Sequence, residues 1–129
     1  VKSLVKIPVI GSGDIRMVAD IERMKNHSGC DAVMIGRGAI VNPWIFSRLD
    51  RDQVPPEQVK QTLRTHLERN IQFYGEDDGQ RLFRKHAIQY LLLRSLDREA
   101  RKRILQPRPS GEFLAMVNEM YAQIQVEAA

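Results

Sequence analysis

Ile7-Pro8-Val9-Ile10-Gly11-Ser12-Gly13-Asp14 is a short apolar run that ends in a glycine turn, and Ala32-Val33-Met34-Ile35-Gly36-Arg37-Gly38 repeats the arrangement further along. Between the two runs Ile15, Val18, Ile21 and Met24 recur at helical spacing. A strand, a glycine turn and an amphipathic helix followed by a second strand and turn is the pattern of a parallel α/β structure. Asp14 is placed to cap the intervening helix, and Asn42-Pro43 opens a further helical piece with a capping side chain and a proline in its first turn.

The paired turns carry the first functional reading. A phosphate needs several backbone N–H donors converging on it, and glycine lets the chain come close because no Cβ stands between donor and anion. The last two strand-to-helix loops of a β/α barrel commonly build a phosphate site together with a short extra helix. Taken alone, either turn can serve only to bend a strand into a helix. The pair, at barrel spacing, favours one shared anion.

A closed barrel usually needs about 250 residues, whereas this chain has 129 and two convincing parallel strands. The expected fold is therefore an α/β fragment, the last two β/α units of a TIM barrel over residues 1–50, followed by an all-α four-helix domain over residues 51–129. Val1-Lys2-Ser3-Leu4-Val5-Lys6 reads as the end of a helix entering the first strand, with no initiating methionine. This is the pattern expected of the C-terminal piece of a longer protein. No apolar run is long enough to span a bilayer and no signal-peptide pattern is present, so a cytoplasmic protein is expected. Cys30 has no second cysteine to pair with. It precedes its strand, away from the reactive C-terminal end, and suits a small, partly buried position better than a nucleophilic one.

Past Leu49 the strand signals stop, and Pro55-Pro56 marks the change. Val59, Leu63, Leu67, Ile71 and Tyr74 predict one amphipathic helix from Glu57, stopped by Gly75. Gly75-Glu76-Asp77-Asp78-Gly79 reads as a turn, and Leu82, Phe83, Ile88, Leu91 and Leu92 predict a second helix. Asp97 can cap a short third helix. Ser110, after Pro107-Arg108-Pro109, can cap a fourth with Leu114, Val117, Met120, Tyr121 and Ile124 facing inward. Such helices pack as a small bundle.

The net charge of +4 is unevenly spread. Arg81, Arg84, Lys85, Arg94, Arg98, Arg101, Lys102 and Arg103 are opposed within their segment only by Asp97 and Glu99, a net +6 that leaves −2 for the remainder. A one-sign cluster attracts polyanions and releases their counterions, so RNA or DNA is the natural partner. The other reading is an ordinary basic surface, with Glu or Asp from the missing part of the protein pairing some of these arginines. His86 and Tyr90 are four residues apart on one helical face and can touch a nucleotide, though Tyr90 reads better as core. His27 and His66 have no neighbouring cysteine or carboxylate pattern of a metal site. Trp44 and Phe46 read as apolar plugs.

Together these motifs resemble the C-terminal part of the flavin-dependent tRNA-dihydrouridine synthases. The resemblance rests on Ile7 to Ile15, on Val33-Met34-Ile35-Gly36-Arg37-Gly38-Ala39 with Asn42-Pro43-Trp44-Ile45-Phe46, and on Arg84-Lys85-His86 followed by Tyr90. It implies FMN held through its phosphate by Ser12, Gly13 and Asp14 from one loop and by Gly36 and Arg37 from the other. Asparagine is commoner in that family at the Ser12 position. It also implies NADPH as reductant, reduction of a uracil C5–C6 double bond in tRNA, and a protonating cysteine on an earlier barrel loop that Cys30 does not match. This chain would then hold no catalytic residue and be inactive alone. Arg81, Arg84, Lys85, His86, Arg98, Arg101 and Lys102 are the candidate tRNA contacts. Two alternatives stay open: a self-sufficient RNA-binding module over residues 56–129, and another FMN-dependent barrel enzyme acting on a small molecule. Two strands cut from a barrel expose unpaired edges, so self-association is expected.

Overall fold

In the computed structural model, which describes residues 2–91 and 98–127, Ile10–Ser12 (β1) and Ala32–Met34 (β2) pair in parallel. Ile10 lies opposite Ala32 and Ser12 opposite Met34. The strands are shorter than the apolar runs predict, because Pro8 has no N–H to give to a ladder and Asp31 captures the chain beside it. The Asp31 carboxylate accepts from the Val9 N–H at 2.7 Å and pairs with Lys2 at 2.6 Å. The Lys2 ammonium, then the Val9 N–H, holds that carboxyl below its usual range.

Val18–Ser28 (α1) connects the strands and Arg37–Val41 (α2) follows the second. Ile15, Ile21 and Ile45 form the core here, with Val18, Met24, Val33 and Ile35 packed around them. The expected caps are wrong in both places. Because α1 starts at Val18, Asp14 lies too far upstream to cap it. Asp20 accepts instead from the Arg16 and Met17 N–H groups, at 2.9 Å each, and Asp50 accepts from Val18 N–H at 2.8 Å. Those backbone donors hold the Asp20 carboxyl below its usual range. Asn42 donates its amide N–H to the Leu49 carbonyl at 2.8 Å rather than capping the 3₁₀ turn Pro43–Ser47. That turn buries Ile45 completely, which sends the adjacent Phe46 into solvent instead of plugging an apolar contact. Leu4, Ile7, Ile10 and Met34 are also exposed.

The chain divides into two compact units, Val1–Val54 and Pro55–Ala129. In the second, the described residues form helices Pro56–Tyr74 (α3), Glu76–Leu91 (α4), Arg98–Leu105 (α5) and Ser110–Glu127 (α6). Val59, Leu63 and Leu67 of α3 are fully buried, whereas Tyr74 is exposed. The acidic stretch after Gly75 is no turn. Glu76, Asp77 and Asp78 form the first turn of α4, where negative charge complements the helix dipole. Gly79 sits inside the helix because a Cβ there would stand 2.7 Å from the Ile71 Cα and from the Asn70 carbonyl oxygen. Phe83, Ala87, Tyr90 and Leu91 form the buried stripe of α4, while Leu82 and Ile88 are half-buried. Phe83 meets Phe113 of α6 edge-on at 6.0 Å between ring centres. Phe113, Met116, Val117, Met120 and Tyr121 are buried among the described side chains of α6. Ser110 is its first residue rather than its cap, and the Glu76 carboxylate accepts the Ser110 N–H at 2.8 Å. Leu92, Arg94, Asp97 and the Ile124 side chain lie outside the described residues.

Candidate functional site

The parallel register brings the C-terminal ends of β1 and β2 side by side, so the two glycine turns leave the sheet together. They line one cavity of about 810 Å³. Ser12, Gly13, Asp14, Gly36 and Arg37, the five residues singled out for an anion, are all on its wall. Two contacts hold the turns against each other. A Cβ at Gly38 would stand 2.1 Å from the carbonyl oxygen of Ile15, so the second turn packs on the first with no room for a side chain. Ile15 is itself anchored, being 4 % exposed in the core. Across the mouth, Arg37 Nη2 donates to Asp14 Oδ1 at 2.9 Å.

Backbone order supports the same arrangement. Ile15 N–H donates to the Gly13 carbonyl at 2.9 Å, closing a tight turn between β1 and α1. Arg16 also lines the cavity, a cation that sequence reasoning passed over because it lies beyond the glycine motif. From sequence Gly38 reads only as part of a turn, and its contact with Ile15 carries no sequence signal. Cys30 is buried at 5 % exposure, and its Sγ would be 2.8 Å from a Cβ on Gly11. It does not line the cavity. The charged residues on the cavity wall are thus Arg16, Arg37 and Asp14.

The family model described as Dihydrouridine synthase (Dus) matches residues 1–125. The chain belongs to the dihydrouridine synthase family. It is 36 % identical over 110 residues to tRNA-dihydrouridine synthase B of Salmonella typhimurium, covering 79 % of this chain and 34 % of that protein. To tRNA-dihydrouridine synthase B of Pseudomonas aeruginosa it is 32 % identical over 133 residues, covering 97 % of this chain and 40 % of the relative. A probable tRNA-dihydrouridine synthase of Mycobacterium leprae is 39 % identical over 93 residues, 66 % of this chain and 24 % of that protein. The chain thus spans well under half the length of these curated relatives.

The second unit presents the basic residues unequally. Arg81 is paired with Asp78 at 2.9 Å, and half-buried Arg84 donates to the Leu105 carbonyl at 2.9 Å. Lys85, Arg98, Arg101 and Lys102 are exposed and, among the described residues, have no acidic partner within ion-pair distance. Arg103 lies 3.9 Å from Glu119. His86 stacks obliquely on His66, with ring centres 5.2 Å apart, and His66 Nδ1 is 3.2 Å from the Tyr90 hydroxyl. Burial, then the facing His86, lowers the His66 pKa. Burial, then Lys85, lowers that of His86. Tyr90 is 9 % exposed, a core residue with its hydroxyl turned to His66. Among the described residues no group of His, Cys, Asp and Glu is arranged to hold a metal ion, and no helix is long and apolar enough to cross a membrane.

Proposed function

We propose that this chain is the C-terminal portion of an FMN-dependent tRNA-dihydrouridine synthase. On this reading residues 1–50 supply the last two β/α units of a TIM barrel and residues 51–129 form a helical tRNA-binding domain. The observation that carries it is the convergence of both glycine turns on one cavity of about 810 Å³ with Arg37 at its edge. The residues present fit a phosphate monoester. Ser12, Gly13, Asp14 and Gly36 bring main chain to the cavity wall, where small residues let an anion approach N–H donors, and the Arg37 guanidinium can take two phosphate oxygens at once. Gly38 keeps the turns close enough to share one ligand.

When bound, the flavin supplies the hydride that reduces the C5–C6 double bond of a tRNA uracil, with NADPH as the electron source. This chain's own part is to grip. A base inside folded RNA must be swung out before chemistry reaches it, so the surrounding backbone has to be held. Lys85, Arg98, Arg101 and Lys102 are exposed and free of acidic partners among the described residues, which suits them to phosphodiester contacts. Arg81, Arg84 and His86 are further candidates that would first have to leave Asp78, Leu105 and His66. The buried Cys30 is not placed to protonate a substrate, and the protonating residue is assigned to another part of the parent protein.

The deciding experiment is expression of the parent protein and digestion of tRNA treated with it. A yellow protein that forms dihydrouridine supports the reading; a colourless one that forms none refutes it. The four cations that have no acidic partner among the described residues also favour a second reading, in which residues 56–129 bind RNA without any flavin. That segment would then bind tRNA alone, and weakly salt-dependent binding would count against it.

A further inference from the structure

We propose that the side chain of Asp14 is an internal counter-anion, which occupies Arg37 until a phosphate monoester displaces it and so sets the affinity of the cavity. The inference rests on the phosphate-binding reading of the cavity given above. It concerns what one side chain does there.

Arg37 Nη2 and Asp14 Oδ1 are 2.9 Å apart, and both residues line the cavity. Their side chains are 89 % and 68 % exposed, so the pair is held in water, where such contacts are weak and exchange readily. A phosphate monoester dianion offers the same guanidinium two oxygens and a second negative charge. A carboxylate beside that dianion is repelled. The two anions therefore compete for Arg37 rather than share it.

The backbone of Asp14 plays the opposite part. It lies between Gly13, whose carbonyl accepts from Ile15 N–H at 2.9 Å, and Ile15, which is locked in the core and against Gly38. The main-chain donors of this turn stay fixed while the Asp14 side chain swings out into water. Arg16, on the same wall, adds a second cation, so that two guanidinium charges face the two charges of the dianion. One residue thus combines a fixed backbone in the turn with a mobile carboxylate that opposes the anion. A singly charged anion cannot recover the cost of displacing that carboxylate as well as a dianion can, so the device selects for phosphate.

The test is a titration of the flavin-stripped parent protein with FMN and with riboflavin, read by quenching of flavin fluorescence. Asp14→Asn is expected to bind FMN about three- to tenfold more tightly, with riboflavin affinity unchanged. Arg37→Gln is expected to weaken FMN binding about tenfold, and in the double variant the gain from Asp14→Asn should shrink to what relief of the carboxylate–phosphate repulsion alone gives, because the competition for Arg37 is gone. Asp14→Ser, which removes the charge with a different side chain, should move FMN affinity in the same direction. Weaker or unchanged FMN binding by Asp14→Asn and Asp14→Ser, in a chain that otherwise prefers FMN over riboflavin, overturns this inference alone. No preference for FMN over riboflavin in the unaltered chain overturns the phosphate reading of the cavity itself.

Discussion

Replacing Gly38 by alanine is the sharpest perturbation of the first unit. The added Cβ would stand 2.1 Å from the Ile15 carbonyl oxygen and 3.3 Å from its carbon. That is about an ångström inside the closest approach such atoms tolerate, and the obstacle is backbone, which cannot rotate away like the end of a side chain. Ile15 cannot retreat either, since its side chain is packed with Ile21 and Ile45. Overpacking of this kind costs about 2–3 kcal/mol. With a urea dependence of about 1–1.5 kcal/mol per molar for so small a unit, the unfolding midpoint should fall by about 2 M. Trp44, the one tryptophan, belongs to the first unit, so its fluorescence follows that unit's unfolding. A Gly111→Ala control, at an exposed helical glycine where a Cβ meets nothing within 4 Å, should leave the Trp44 transition in place. A Gly38→Ala midpoint within about 0.3 M of the unaltered chain would refute the claim that the two turns are held in contact there.

Further outcomes are expected. Gly79→Ala, whose Cβ would press on the Asn70 and Ile71 backbone at 2.7 Å, should lower the helical transition seen by far-ultraviolet circular dichroism by about 1–3 kcal/mol and leave Trp44 fluorescence unmoved. His66 and His86 titrate below 6.5 in the folded unit and near it when unfolded, so the folded state holds fewer protons. Their contribution to stability is therefore complete above about pH 6.5 and is lost as pH falls through the folded values, and a thermal midpoint that does not drop below pH 6.5, or drops equally in His66→Gln, would contradict this. Alanine at Arg98, Arg101 and Lys102 together should flatten the salt dependence of tRNA binding by up to about three phosphate contacts, whereas an unchanged slope would remove these residues from the interface. The exposed strip of Leu4, Ile7, Ile10 and Met34 predicts self-association of the isolated chain, and a compact monomer at high concentration in the ultracentrifuge would speak against it.

What could be read from sequence was whatever depends on near neighbours. The apolar run, the glycine turn and the helical spacing of Val18, Ile21 and Met24 are local signals, and they located both turns and the element between them. The same holds for Val59, Leu63 and Leu67. Contacts that depend on distant partners were misread. Asp14 looked like a cap because it precedes an apolar stripe, yet the donors at that helix start are taken by Asp20, inside the helix, and by Asp50, far along the chain. Asn42 lost its expected role to the Leu49 carbonyl, and Ser110 lost its own to Glu76. Gly79 looked like a turn residue because its reason for being glycine, the backbone of α3, is invisible to local pattern. Phe46 and Ile45 compete for one core position in a tight 3₁₀ turn, and the smaller side chain takes it. For the site, residue types that suit an anion were legible, whereas the Asp14–Arg37 pair on the cavity wall was not.

The most direct measurement of the central claim is a set of amide spectra of the ¹⁵N-labelled chain recorded with FMN and with riboflavin. The Gly13, Asp14, Gly36 and Arg37 amides are expected to shift with FMN and stay in place with riboflavin, since only FMN carries a phosphate. Shifts confined to one turn, or equal for the two flavins, would contradict it.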